Sequence, residues 1–326
     1  MNSNPSDPVF THAGGRPAEG VDELLAFARE QLGLGPDRCW QLISSGMKFT
    51  KTFFELEESR PEGSRRLIGR VSAREKWKGA YEILRKLRDA GMRPPSPYCV
   101  VEPVAFLPER NLLLQEKAAG QQLFEKIKTG TATERDAERA AEWLVALQRL
   151  AFPNLPQGSC GDFERTRKEL PDAIPSSARR IIQILDFLSK RFRATVPGAP
   201  SHGDYHPMNI YLDDERVTVI DVDTFAAREP MFDVGYFLAH SAVMGYHHSG
   251  TFEPTENLRA VFLDTCERLA PHRFHKERVR VHVAFAFLRS LHYDLCILRT
   301  YPKEVVDPFL SAAERALSGA RIRLAA

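Results

Sequence analysis

Between residues 21 and 34 the chain (VDELLAFAREQLGL) repeats apolar side chains every three to four positions, the period of an amphipathic helix, and Gly35-Pro36 predicts its end. The period then falls towards two. QLISSGM, FTKTFFELE and RRLIGRVS read as three strands. A turn containing Ser45-Gly46 is expected between the first pair and one containing Pro61-Glu62-Gly63 between the second. Over residues 73–90 Trp77, Ala80, Tyr81, Leu84 and Leu87 recur on one helical face, and Pro94-Pro95-Ser96-Pro97 breaks that helix. YCVVEPVAF and NLLLQEKA read as two further strands, so the first 120 residues predict a five-stranded sheet with one inserted helix. From Thr133 onward amphipathic helices dominate: ERAAEWLVALQRL, RRIIQILDFLSKRF, EPMFDVGYFLAHSAV, LRAVFLDTCERL, RVHVAFAFLRSLHYDL and DPFLSAAERAL. Two short strands, NIYL and VTVIDV, interrupt them around the polar turn Asp213-Asp214-Glu215. The pattern is that of an α+β chain with a boundary near Ala118-Ala119-Gly120.

Composition narrows the picture. With 326 residues the chain is long enough for two lobes. A net charge of +2 gives no basic coat for nucleic acid and no polybasic anchor for a membrane. No run of eighteen apolar residues exists. Five cysteines, widely spaced and without a C-x-x-C pair, argue against a disulfide framework and a zinc site; they fit thiols in a reducing cytoplasm. Residues 1–20, rich in Pro, Gly, Ser and Asn, read as a flexible leader without the features of a signal peptide.

Candidate chemistry concentrates in SHGDYHPMNIYLDDERVTVIDVD, residues 201–223. Phosphoryl transfer needs a carboxylate to accept the proton of the attacking hydroxyl, and an amide oxygen and a second carboxylate to hold magnesium on the nucleotide phosphates. Asp204, Asn209 and Asp221 supply those groups, and hard oxygen ligands suit Mg²⁺. Singly, each residue has an ordinary reading as a turn former or strand opener. Together, on a loop followed by a hairpin, they form a pattern that turn chemistry alone does not require.

HGDYHPMN followed by VIDVD resembles the catalytic signature of the aminoglycoside phosphotransferase / choline kinase family. The resemblance is strongest over residues 201–240 and looser over 40–125. It implies a bilobal protein-kinase-like fold. Residues 21–118 would form a nucleotide-binding lobe around a five-stranded antiparallel sheet. Residues 119–326 would form a larger, mostly helical lobe for catalysis and acceptor binding. The resemblance also implies Asp204 as the base, Asn209 and Asp221 on Mg²⁺, and Asp223 as a second metal-side carboxylate. His202 would be structural, and Asp233 in FDVGYFLAH would brace the catalytic loop from behind. Ser45 and Gly46 lie where the family has its phosphate-covering turn, and Arg70 where it places a phosphate-binding Lys or Arg. Ala80 aligns with the family's partner glutamate, so either Glu75 reaches Arg70 or that ion pair is missing. Gln115, Glu116 and Lys117 correspond to the hinge, whose backbone would meet the adenine.

The expected activity is therefore ATP- or GTP-dependent phosphorylation of a hydroxyl on a small metabolite or antibiotic, by a cytoplasmic monomer or homodimer with no nucleic-acid or membrane partner. The alternative is a non-catalytic, pseudokinase-like nucleotide-binding regulator on the same fold. Residues 240–326 hold nine acids against twelve Lys and Arg and seven His, and one of their helices brings His282, Arg289 and His292. That balance suits a neutral, apolar or anionic acceptor better than a polycation.

Overall fold

The computed structural model describes residues 20–34, 39–48, 51–60, 63–72, 77–159, 162–192, 198–299 and 303–319. The expected leader up to residue 19, the Gly35-Pro36 stop, the Pro61-Glu62 part of the second turn, and Glu75 lie outside them. The chain divides into two compact units. One is Met1–Ala119 with Thr218–Asp223; the other is Gly120–Val217 with Thr224–Ala326.

The first unit opens with α1 (Val21–Gln31) and continues through β1 (Cys39–Lys48), β2 (Lys51–Arg60), β3 (Gly63–Ser72), α2 (Trp77–Asp89), β4 (Tyr98–Val100), β5 (Pro103–Leu107) and β6 (Leu112–Glu116). Its main sheet has five antiparallel strands in the order β1-β2-β3-β6-β5. Side chains alternate across the sheet. Phe54, Leu56, Leu67, Leu112 and Leu114 face one way, packing with Val21 and Ala28 of α1. Leu113 faces the other way, onto Trp77 and Ala80 of α2.

Two expectations change here. Ser45 and Gly46 lie inside β1, opposite Phe54 and Phe53 of β2, not in a turn; pairing continues to Lys48 opposite Lys51. Ser and Gly signal turns by local propensity, but ten residues of ladder outweigh that preference. YCVVEPVAF is two strands, β4 and β5, separated at Val101-Glu102. β4 lies beside β10 (Val217–Val219) and β5 beside β6. An unbroken apolar run hides such a change of partner.

The second unit contains β7 (Gln121–Gln122), α3 (Leu123–Lys128), α4 (Glu134–Arg149), α5 (Phe163–Ala173), α6 (Ala178–Phe192), β8 (Ala199–Ser201), β9 (Ile210–Leu212), β11 (Ala226–Arg228), α7 (Met231–Ser249), α8 (Glu256–Leu269), α9 (Lys276–His292) and α10 (Val306–Leu317). A π-helical turn, Tyr293–Leu298, extends α9. β7 pairs antiparallel with β9, and β8 with β11. α7 and α9 are apolar around most of their circumference and form the centre of the unit. Gly235 lets them meet: a Cβ there would lie 2.5 Å from Cβ of His282. The segment Lys276–Leu298 is long and apolar enough to cross a membrane, and 67% of its most apolar window is buried among its neighbours, as in a core helix.

Candidate active site

Ser201 ends β8, and the next eight residues make the loop that carries most of the candidate chemistry. His202 is fully buried beneath Trp143 and Tyr205. Gly203 takes φ +83°, and a Cβ there would meet the Thr224 carbonyl at 2.7 Å, so only glycine fits the turn. Asp233, in the first turn of α7, accepts the amides of His202 at 2.8 Å and of Gly203 at 2.9 Å. Tyr205 stacks on Trp143 of α4 and donates its hydroxyl to the Ala140 carbonyl at 2.7 Å. The loop is thus held from below by a carboxylate and an aromatic stack. That leaves Asp204 fixed at its crest.

The Asp204 side chain keeps 29% of its surface exposed. Tyr236 of α7 donates to its Oδ1 at 2.6 Å, and His206 Nε2 lies 3.5 Å from its Oδ2. Burial alone would raise this carboxyl. His206, the Tyr236 hydroxyl and the Arg289 guanidinium outweigh burial and hold it well below the usual carboxylate range. The same surroundings push the Tyr236 phenol well above its ordinary value, burial first and the Asp204 charge after it. Asp204 is therefore ionised and Tyr236 remains a donor. His240, whose ring stacks on both Tyr236 and His206, is driven well below the ordinary histidine range by burial and by the neighbouring His206.

Asn209 is 6% exposed and donates Nδ2 to the Asp204 main-chain carbonyl at 2.9 Å. Its Oδ1 takes no hydrogen bond among the described residues, so the amide oxygen is the group it can offer to a cation.

In the first unit, Arg70 of β3 is buried, 8% exposed. Its guanidinium carbon lies 4.4 Å from the centre of the Trp77 ring and 5.6 Å from that of Phe53. Its Nη2 donates to Asp221 Oδ1 at 2.9 Å. Asp221 sits at φ +64°, unusual for a residue with a side chain. Ala80 is buried against Leu113 and offers no charge, so Arg70 meets an aspartate 151 positions away. Gln115 and Glu116 end β6, with Lys117 following. The amide of Glu116 is bonded to the Glu102 carbonyl and that of Lys117 to the Arg66 carbonyl, so a base at this edge would meet other main-chain groups. Lys117 and Glu116 side chains pair with Glu55 and Arg65.

The three residues expected near an acceptor separate. His282 and Arg289 both line a small cavity with Phe232, Tyr236, Phe285 and Ala286. His292 turns away and pairs with Glu169 at 2.8 Å. Their spacing explains the split: positions 282 and 289 are two turns apart on one helical face, and 292 is not in register with 282. Sequence reasoning missed Tyr236 and His206. Both had a signal, Tyr236 lying one turn after Asp233 on the same helix and His206 two residues after Asp204.

Relatives among solved structures share the architecture. A choline kinase from Cryptosporidium parvum Iowa II superposes with TM-score 0.60 at 12% identity, over 91% of this chain and 95% of that one. The ADP-bound aminoglycoside phosphotransferase APH(2'')-Ib gives 0.57 at 14%, over 90% and 97%. A choline/ethanolamine kinase family protein from Mesorhizobium loti gives 0.57 at 17%, over 92% and 97%. No curated protein matches the chain. The fold is thus kinase-like. The model of the phosphotransferase enzyme family matches residues 40–265, more than half of the sequence, and the chain belongs to that family.

Proposed function

We propose that the chain is a small-molecule kinase that moves the γ-phosphoryl group of ATP or GTP to a hydroxyl. The observation that supports this most is the environment of Asp204: an ionised, partly exposed carboxylate fixed by Tyr236 Oη and His206, on one loop with Asn209. A general base must be deprotonated and must reach solvent-borne substrate. Asp204 accepts the acceptor's hydroxyl proton; Tyr236 and His206 keep its two oxygens oriented. Asn209, Asp221 and Asp223 would hold Mg²⁺, which supplies charge neutralisation on the phosphates when bound. Arg70, pressed against Trp77 and paired with Asp221, is the cation that would be offered to the nucleotide phosphates. The pseudokinase alternative is less well supported, since a protein that only binds nucleotide has no use for a buried tyrosine aligning a catalytic carboxylate.

The test is release of ADP by the purified chain with Mg-ATP or Mg-GTP against a panel of hydroxyl metabolites and antibiotics. Transfer is expected for at least one acceptor class. Asp204→Asn should lower kcat by about 10²–10⁴-fold and leave nucleotide binding in place. Wild-type turnover by that variant would remove Asp204 from the mechanism.

A further inference from the structure

Arg289 feels the charges of Asp204 and Asp162 but lacks a hydrogen-bond acceptor among the described residues. It lies in the last turn of α9, with its guanidinium carbon 5.0 Å from the centre of the Tyr236 ring. That ring carries the hydroxyl bonded to Asp204. Among the described residues no carboxylate or carbonyl accepts a hydrogen bond from Arg289, and its contact is the face of the ring. The other arginines of α9 have hydrogen-bond partners: Glu229 holds Arg278, and the Gly319 carbonyl accepts from Arg280 Nη2, while Arg280 Nε has none. A guanidinium has five N–H donors, and leaving them unused in a half-buried place is unfavourable.

Two further observations point into the same space. His282, 2% exposed, sits two turns earlier on the helix, gives Nε2 to Glu229 at 2.9 Å, and has no partner at Nδ1. The cavity that both residues line is otherwise walled by Phe232, Tyr236, Phe285 and Ala286, is apolar, and has room for about one water molecule. Glu229 is saturated by Arg278 and His282, which hold its pKa at about 2 against the upward pull of burial. No acid is among the residues that line the cavity itself.

We propose that Arg289 binds an oxyanion of the acceptor, so that the substrate class is a short-chain hydroxy acid, carboxylate on Arg289 and hydroxyl at Asp204. This rests on the kinase function proposed above and specifies its acceptor. The hydroxyl oxygen forms a bond to the γ-phosphorus as the bridging P–O bond to the nucleoside diphosphate breaks. The hydroxyl proton passes to Asp204, and the carboxylate is unchanged throughout. Because Arg289 and Asp204 are tied to opposite parts of one tyrosine side chain, their spacing is fixed, and the acceptor's chain length becomes a selected quantity. A phosphate monoester offers the same oxyanion chemistry in a bulkier, tetrahedral form.

The test is calorimetric titration of the full chain with ω-hydroxycarboxylates of two to six carbons, each beside its neutral amide, with glycerol phosphate as the phosphate arm. The expected result is a preference of about tenfold or more for at least one acid over its amide. Arg289→Gln should remove that preference, and Arg289→Lys should keep part of it. Melting curves establish that both variants are folded; if Arg289→Gln is not, the acid-to-amide ratio of the unaltered chain and of Arg289→Lys decides. Equal binding of acid and amide throughout, no binding in the carboxylate arm, or preference for glycerol phosphate alone overturns the hydroxy-acid assignment. So does an unchanged preference in a folded Arg289→Gln. Phosphoryl transfer is followed separately. Arg289-dependent acid binding without transfer leaves this site standing and removes the kinase function. Transfer to neutral alcohols without any preference for acids does the reverse.

Discussion

At the scale of single residues, the site works by setting charges against burial. Tyr236→Phe removes one hydrogen bond from Asp204 and keeps the ring. Because that bond lowers the Asp204 pKa, its loss should shift the acid limb of kcat to higher pH, with kcat falling about tenfold for the misaligned base. A pH–rate profile checks both, and an unmoved acid limb would mean that His206 and Arg289 set the charge alone. Asp294 behaves in the opposite sense. It is 8% exposed at the start of the π-helical turn, with an unpartnered Oδ2 lying 3.9 Å from His247 Nε2, and burial raises its pKa to about 7. A carboxyl whose folded pKa lies above its unfolded one binds more protons when folded. It therefore loses stability as pH rises between about 4 and 7. Asp294→Asn should accordingly raise the melting temperature at pH 8 and change it little at pH 4, by about 1–3 kcal/mol of stability at the upper end. Equal effects at both pH values would show that the aspartate is stabilised by contacts other than its proton.

At the scale of elements, the arrangement depends on one end of α7. Asp233 satisfies two amides of the loop that presents Asp204. Asp233→Ala would leave both donors buried and unpaired, an expected loss of about 2–5 kcal/mol together with most of the turnover. Chemical denaturation measures the first and initial rates the second; a variant as stable as the parent would locate the brace elsewhere. Much of this was legible beforehand. The alternation in QLISSGM, FTKTFFELE and RRLIGRVS identified three strands because one face of each is apolar. The period of Trp77, Ala80 and Leu84 identified α2 for the same reason. Asp204 and Asn209 stood out through the spacing of HGDYHPMN, and Asp233 through the family resemblance that FDVGYFLAH carries. What stayed hidden was non-local or weakly patterned. α5 was missed because FERTRKELPDA carries few apolar positions, and Pro171 interrupts it. The Ser45-Gly46 turn was misplaced because local propensity cannot measure the length of a ladder. The partner of Arg70 was invisible because no short-range rule links two residues so far apart along the chain.

At the scale of the whole molecule, the ion pair of Arg70 with Asp221 holds together two stretches that arrive far apart in synthesis. Arg70→Ala should raise the nucleotide KM more than it lowers kcat, since a phosphate contact is shared by ground state and transition state. If neither constant moves, the arginine serves the stability of its own unit. The first unit has a further property: it is discontinuous, made of Met1–Ala119 and of Thr218–Asp223. A ribosome delivers chain in one direction at about 5–20 residues per second. The sheet can be fully translated while the six residues that complete its unit are still unmade, so β4 waits for β10 and Arg70 waits for its counter-ion. A gene cut after residue 119 would separate the first unit from the six residues that complete it. Fragment pairs split there should reassemble poorly, and those in which the first fragment is given its own copy of 218–223 should do better. The seam in three dimensions and the seam in the gene are different places.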